Sequence, residues 1–343
     1  MLTVISSRPP LPAFVDAQDP PRPTRTDTAL GAVSFGTAPG GVRLTGDVAT
    51  LDVPAGGLGD RFREVWTTAG EVVSGWCGRL VYGADGGYLF CAGWLPGRDQ
   101  YRDAVRALYG EIFSAIRVLG YPHLYRIWNL LGGINDTNSA GLEIYRDFCQ
   151  GRSEAFEQHG LSTRLMPAAT GIGSNAPGLA VYLLASRAGE VRQVENPRQV
   201  PAYRYPPRYG PRSPSFARAT HLATESGEQV LMIAGTASVV GHATRHPHDL
   251  RRQCEETFAN LRHLLAPENL TRHGLDRGHG LKDIDQLKVY VRHERDLPLV
   301  RDLCRREFGP LAGLRFLVVD ICRSDLLVEI EGVVVMAPSG RGE

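Results

Sequence analysis

An α+β fold of two units, each a mixed β-sheet with helices packed on one face, is what this sequence predicts. Three observations point there. A strand–helix–strand–helix order occurs in each half, apolar spacing switches between alternation and steps of three or four, and two β-branched runs close the chain.

In the first half GYLFCAGW (87–94) alternates as a strand, and YRDAVRALYGEIFSAIRVLG (101–120) has the spacing of an amphipathic helix. HLYRIWNLLGGIN (123–135) is the next strand and LEIYRDFCQGRSEAFEQHG (142–160) the next helix. The second half has the strand QVLMIAGTAS (229–238) and the helix DLRRQCEETFANLRHLLA (249–266), with Asp249 available as its N-cap. A strand, IDQLKVYVRHE (284–294), and a helix, PLVRDLCRREFG (298–309), follow. LRFLVVDIC (314–322) and DLLVEIEGVVVMA (325–337) are the closing strands. The chain divides into a proline-rich segment, 1–27, extended or loosely attached, a first unit, 28–195, and a second unit, 196–343.

The 343 residues leave room for a substantial core, and 43% hydrophobic with 22% charged residues is ordinary for a globular protein. A net charge of +1 provides no long-range attraction to nucleic acid or an anionic membrane, so neither is an expected partner. Six widely spaced cysteines without a CxxC pair suit a reducing compartment. The N-terminus lacks the pattern of a signal peptide and no apolar run has the length of a membrane span, so the cytoplasm is the expected location.

NPRQVPAYRYPPRYGPRSPSFARA (196–219) interleaves five arginines and three tyrosines with prolines. Arginine forks grip carboxylates at two points and tyrosine adds a neutral donor, so this segment reads as a rigid loop for a small polyanion or as a solvated linker. PAATGIGSNAPG (167–178) lacks the spacing of a dinucleotide or phosphate loop and reads as a tight turn. In GHATRHPH (241–248), Pro247 prevents His242, His246 and His248 from sharing a helix face, so surface-turn histidines are expected and no metal. Cys322 reads as a packed thiol or a nucleophile. Glu329, in an otherwise apolar strand, is either solvated or held inside as an acid with a raised pKa.

VENPRQVPAYRYPPRYGPRSPSFARA, IAGTASVVGH and CRSDLLVEIEG, with LYRIWNLLGGIN and YRDFCQGRSEAF in the first half, resemble the chorismatases over nearly the whole chain past residue 27. The closing VEIEG is similar to that of the RidA (YjgF-type) fold, shared with small chorismate mutases, and implies two units of that kind. The resemblance implies release of pyruvate from chorismate without cofactor or metal. Glu329 is then the catalytic acid. Tyr145, Arg152, Tyr205 and Arg218 are the substrate clamps, with Arg204 and Arg212 as substitutes if the register differs. Gly235 and Cys322 are similar to the branch that forms 3-hydroxybenzoate, a starter acid for secondary metabolism. Glycine there leaves space for the substrate's own hydroxyl to attack. The alternatives are hydrolysis to a dihydroxycyclohexadiene carboxylate, a mixture of 3- and 4-hydroxybenzoate, or a RidA-like binding module without turnover. A monomer is the expected state, with a trimer sharing sites between subunits as the family alternative.

Overall fold

The computed structural model describes residues 8–16, 28–55, 59–310 and 313–336. β1 (Leu11–Asp16), β2 (Thr28–Gly36), β3 (Gly41–Thr45), β4 (Val48–Pro54) and β5 (Phe62–Thr68) form a five-stranded sheet ordered β1-β5-β2-β4-β3. The sequence reading assigns no strand here. Leu11–Asp16, in the segment expected to be extended or loosely attached, is extended and pairs along its length with Phe62–Thr67, which supplies the ladder that a free segment would lack. The rest of the proline-rich segment, 1–7 and 17–27, lies outside the described residues.

The second sheet follows from β6 (Val73–Cys77), β7 (Leu80–Ala84), β8 (Tyr88–Pro96), helix α1 (Arg102–Leu119), β9 (His123–Gly132), helix α2 (Ile144–Gln158), β10 (Ala168–Ser174) and β11 (Gly178–Ser186). Its order is β6-β7-β8-β11-β9-β10, antiparallel except for the β9–β10 pair. The third sheet begins with β12 (Glu190–Val194), β13 (Ala219–Ala223) and β14 (Gln229–Ala237). The hairpin β15 (Val239–Val240) and β16 (Ala243–Thr244) precedes α3 (Leu250–Leu265), α4 (Pro267–Arg272), β17 (Gln286–Val291), α5 (Leu297–Phe308), β18 (Leu314–Val318) and β19 (Val328–Met336). Its order is β12-β13-β14-β19-β17-β18, antiparallel except for β17–β18. Strand for strand, order and direction match the second sheet, with α1 and α3, and α2 and α5, in the same connections. The repeat in the sequence is a repeat in topology, and the α+β class is as predicted.

Two boundaries differ from the sequence reading. Glu190–Val194, placed in the first unit, pairs with Ala219–Ala223 in the third sheet. PAATGIGSNAPG, expected to be a turn, contains β10, with only 175–177 left to turn into β11. Glycines in a strand mark close approaches here: a Cβ on Gly173 would stand 2.8 Å from the Asp320 carbonyl.

Alternation along the strands explains the layering. On β11, Ala180, Tyr182 and Leu184 join a core shared by all three sheets, with Phe35, Leu51 and Trp66 from the first and Met232, Tyr290 and Val333 from the third. The intervening Leu179, Val181 and Leu183 pack beneath α1 and α2 against Leu108, Ile112 and Phe156. In the third sheet Val289 and Ile330 lie beneath α3 against Phe258 and Leu261. Both faces of β19 are therefore covered, and its alternate residues Glu329, Glu331 and Val333 are all buried. Asp249 caps α3 as expected, accepting from the Arg252 N–H at 3.0 Å. Among the described residues no helix is long and apolar enough to cross a membrane.

Candidate active site

Where the second and third sheets meet, α2, β14, β19, the proline-rich loop and the β18–β19 connection enclose a cavity of about 250 Å³. Glu329 lines it from the central strand β19, between Ala237 of β14 and Tyr290 of β17, and is only 4% exposed. Burial, reinforced by Glu331 on the same face, pushes its carboxyl up to about 8, although Arg218, Arg126 and Arg323 pull the other way. At neutral pH this carboxyl carries its proton.

Gly235 stands against it in a β-bulge. Ile233 pairs with Gly332 and Thr236 with Ile330, so two residues oppose one and the ladder breaks. The N–H groups released are both satisfied, Ala234 donating to the Arg218 carbonyl at 2.9 Å and Gly235 to the Thr170 hydroxyl at 3.1 Å. The backbone at Gly235 is not left-handed. Space rather than backbone conformation is what glycine supplies, because a Cβ there would lie 1.9 Å from Glu329 Oε1 and the carboxyl would have to shift.

Cys322 Sγ is 4.0 Å from Glu329 Oε2. Burial, and then the neighbouring Glu329, drive its thiol far above the ordinary range. It is therefore a neutral thiol rather than a thiolate nucleophile. Iodoacetamide at pH 8 is expected to leave Cys322 unmodified in the folded protein and to label it after denaturation. Labelling of native Cys322 at the denatured rate would contradict that assignment.

Tyr145, in the first turn of α2, and Tyr205, Tyr209 and Arg218, from the proline-rich loop, line the same cavity. The prolines hold two single 3-10 turns, Ala202–Arg204 and Pro207–Tyr209, which direct both tyrosines inward. Arg218 donates to the Val200 carbonyl at 3.0 Å and the Tyr205 hydroxyl at 2.8 Å, while its buried Nε has no partner. Of the loop's five arginines this one alone lines the cavity. Arg204 instead lies over the Tyr203 ring, and Arg212 pairs with Glu157 at 3.0 Å on the surface. Arg152 also lies outside the lining: it is buried beside the Phe148 and Phe156 rings and donates to the Ser215 carbonyl at 3.1 Å. Both substitutes lie outside the lining, and Arg152 braces the loop from behind.

The sequence reading missed two further cations of the cavity lining, Arg146 of α2 and Arg323. The Arg323 guanidinium stacks 4.3 Å from the centre of the Tyr209 ring and donates to the His242 carbonyl at 3.0 Å. The signal for Arg323 was its place beside Cys322 in the segment already singled out. The histidines do not converge: His242 packs against Tyr209, whereas His246 and His248 occupy left-handed turn positions. Among the described residues no group of three His, Cys, Asp or Glu could hold a metal ion. A protonated carboxyl, three arginines and tyrosine hydroxyls around one cavity are suited to protonating an anionic substrate there.

Comparison with known proteins shows which family the chain resembles. The profile described as chorismatase FkbO/Hyg5-like, N-terminal, matches residues 64–185. A 3-hydroxybenzoate synthase of Streptomyces hygroscopicus is 50% identical over 277 residues, 80% of this chain and 82% of that protein. A chorismatase of Streptomyces rapamycinicus is 43% identical over 310 residues, 90% of this chain and 93% of the other. A crystal structure of a chorismatase superposes with a TM-score of 0.91 at 40% identity, covering 96% of this chain and 99% of that one.

Proposed function

This chain belongs to the chorismatase family, and on that footing we propose that it converts chorismate to 3-hydroxybenzoate and pyruvate with Glu329 as the proton donor. The observation that carries the reading is the buried, protonated Glu329 carboxyl facing a glycine-made space in an arginine-lined cavity.

Chorismate bears two carboxylates, one on the ring and one on the enolpyruvyl ether, beside a ring hydroxyl. Arg218 and Arg323 are the cations that meet the carboxylates, with Tyr145, Tyr205 and Tyr209 as neutral donors. Glu329 delivers its proton to the terminal methylene of the enol ether, which turns the ether oxygen into part of a leaving pyruvate. The neighbouring ring hydroxyl attacks the carbon that oxygen leaves, giving an epoxide-like intermediate. Opening of that ring and loss of a ring proton yield the aromatic product. One proton returns to Glu329, so substrate and products balance without water, oxidant or metal. A hydroxyl already on the ring reaches effective molarities on the order of 10⁵ M, so it outruns water whenever the cavity admits the right pose. Both sheets that build the cavity come from one chain, which supports a site complete within a monomer.

Incubation with chorismate and mass analysis of the products tests the reading. 3-Hydroxybenzoate with one equivalent of pyruvate is expected; a dihydroxycyclohexadiene carboxylate would assign the hydrolytic branch, and no pyruvate would refute it. Because the donor must hold its proton, kcat/KM for pyruvate release is expected to fall with an alkaline limb near pH 8. A profile flat from pH 6 to 10 would remove Glu329 from that role. Arg218→Ala is expected to raise KM by about 10- to 100-fold, the worth of a hydrogen bond to a charged group. It is also expected to cost about 1–2 kcal/mol of stability, because the Val200 carbonyl and the Tyr205 hydroxyl lose a buried donor. An unchanged KM would take Arg218 out of the substrate clamp.

A further inference from the structure

Behind Glu329, between the three sheets, lies a buried cluster of charges that the reaction does not touch. Glu331, two residues along β19, is 2% exposed and receives four donors. Arg126 Nη2 and Trp128 Nε1, from β9, each lie 2.8 Å away, and Lys288 Nζ, from β17, 2.9 Å. The fourth is the Thr170 hydroxyl of β10, which also accepts from the Gly235 N–H beside the proton donor. Lys288 continues the cluster to Glu64 of β5 at 2.9 Å and to the Tyr182 hydroxyl of β11 at 2.7 Å.

Stability alone does not explain such a cluster, because well-packed apolar residues in place of a buried ion network are often neutral or stabilising. Its position does. Glu329 is faced by Glu331 on its own strand, Tyr290 on β17, Arg218 ahead of β13, Arg126 on β9 and Tyr145 on α2. Cys322 and Arg323 face it from the β18–β19 connection. Glu143, Asp325 and Arg146 also line the cavity, but of the charged groups Glu331 acts on Glu329 most strongly, and its four donors fix it in place.

We infer that Glu331 is a positioning residue for the reaction: a carboxylate fixed by Arg126, Trp128, Thr170 and Lys288, two residues along the same face of β19, whose charge adds to burial in favouring the proton-bearing form of Glu329. Its own titration agrees. Burial alone would raise Glu331, but Lys288, Arg126 and the Thr170 hydroxyl outweigh burial and hold it down at about 2. Two carboxylates on one face of one strand are thus driven to opposite states, one charged and one not.

This inference rests on Glu329 as the donor, and signs of opposite direction test it. Glu331→Gln removes the anion and leaves Arg126 and Lys288 uncompensated, so the alkaline limb of kcat/KM is expected to move down by about one pH unit. Lys288→Met removes a cation and leaves the anion, so the limb is expected to move up. A packing defect would not shift the limb in opposite directions. A limb that stays in place in either folded variant, or that moves the same way in both, overturns the inference. If Glu331→Gln does not fold, the direction found for Lys288→Met decides. Glu329→Gln measured alongside separates the two levels. Wild-type pyruvate release by that variant would sink the donor assignment itself, whereas its loss with an unmoved limb in the other two sinks only the role of Glu331.

Discussion

Glu329→Gln is expected to lower pyruvate release by about 10³-fold with KM little changed, within the range that a general acid contributes. Glutamine fills the same space and keeps an oxygen and a donor for its neighbours, but has no proton to give. The same substitution is expected to stabilise the fold. The Glu329 carboxyl titrates at about 8 when folded, against an ordinary 4.5. Its favourable contribution, carried by the protonated form, is complete below pH 4.5 and drains away as pH rises to about 8. Glutamine never ionises, so the variant gains on the order of 3 kcal/mol over the native chain at pH 7 and nothing at pH 4. Urea unfolding at several pH values measures this. An equal stability difference at pH 5 and pH 8 would mean that Glu329 titrates normally and the chemistry built on it is wrong.

Gly235→Ala is the second large effect. The backbone there accepts an alanine, but the new methyl would sit 1.9 Å from Glu329 Oε1, so the carboxyl has to move by more than 1 Å. A displacement of that size at a reacting group costs about 10²-fold in kcat. On the proposed reading the methyl also fills space needed for the substrate's own hydroxyl to attack, so part of the remaining flux is expected to emerge as the hydrolysed diene. Product analysis by mass, with kcat from pyruvate release, reads both effects. Native rate and product ratio would show that the bulge yields and that size at this position does not control the outcome.

The way Glu329 is buried explains what the sequence could and could not show. Alternation puts Glu329 and Glu331 on one face of a strand, and that much is legible in DLLVEIEG. Whether the face is wet depends on what covers it, and the cover is made by residues as distant as Glu64 and Lys288, which no local pattern connects. Of the early strands, GVRLT has too few residues to show a period, whereas TALGAVSFG is buried over successive residues and so lacks the alternation that marks a half-buried strand. β10 was obscured by its glycines, which read as turn residues until Asp320 and Tyr145 are seen lying against them. In the proline-rich loop the residue types were informative but their directions were not: Tyr205 and Arg218 face the cavity, whereas Arg204 and Arg212 face away. Thr170 gave no signal at all, since its hydroxyl gains a purpose only when β10 meets the bulge of β14.

The cluster behind Glu329 draws Glu64 from one sheet, Arg126 and Thr170 from another, and Lys288 and Glu331 from the last. The network is complete only when all three layers have docked. On the proposed reading, regain of turnover after dilution from denaturant is expected to follow the slowest docking event rather than the return of helix or strand signal.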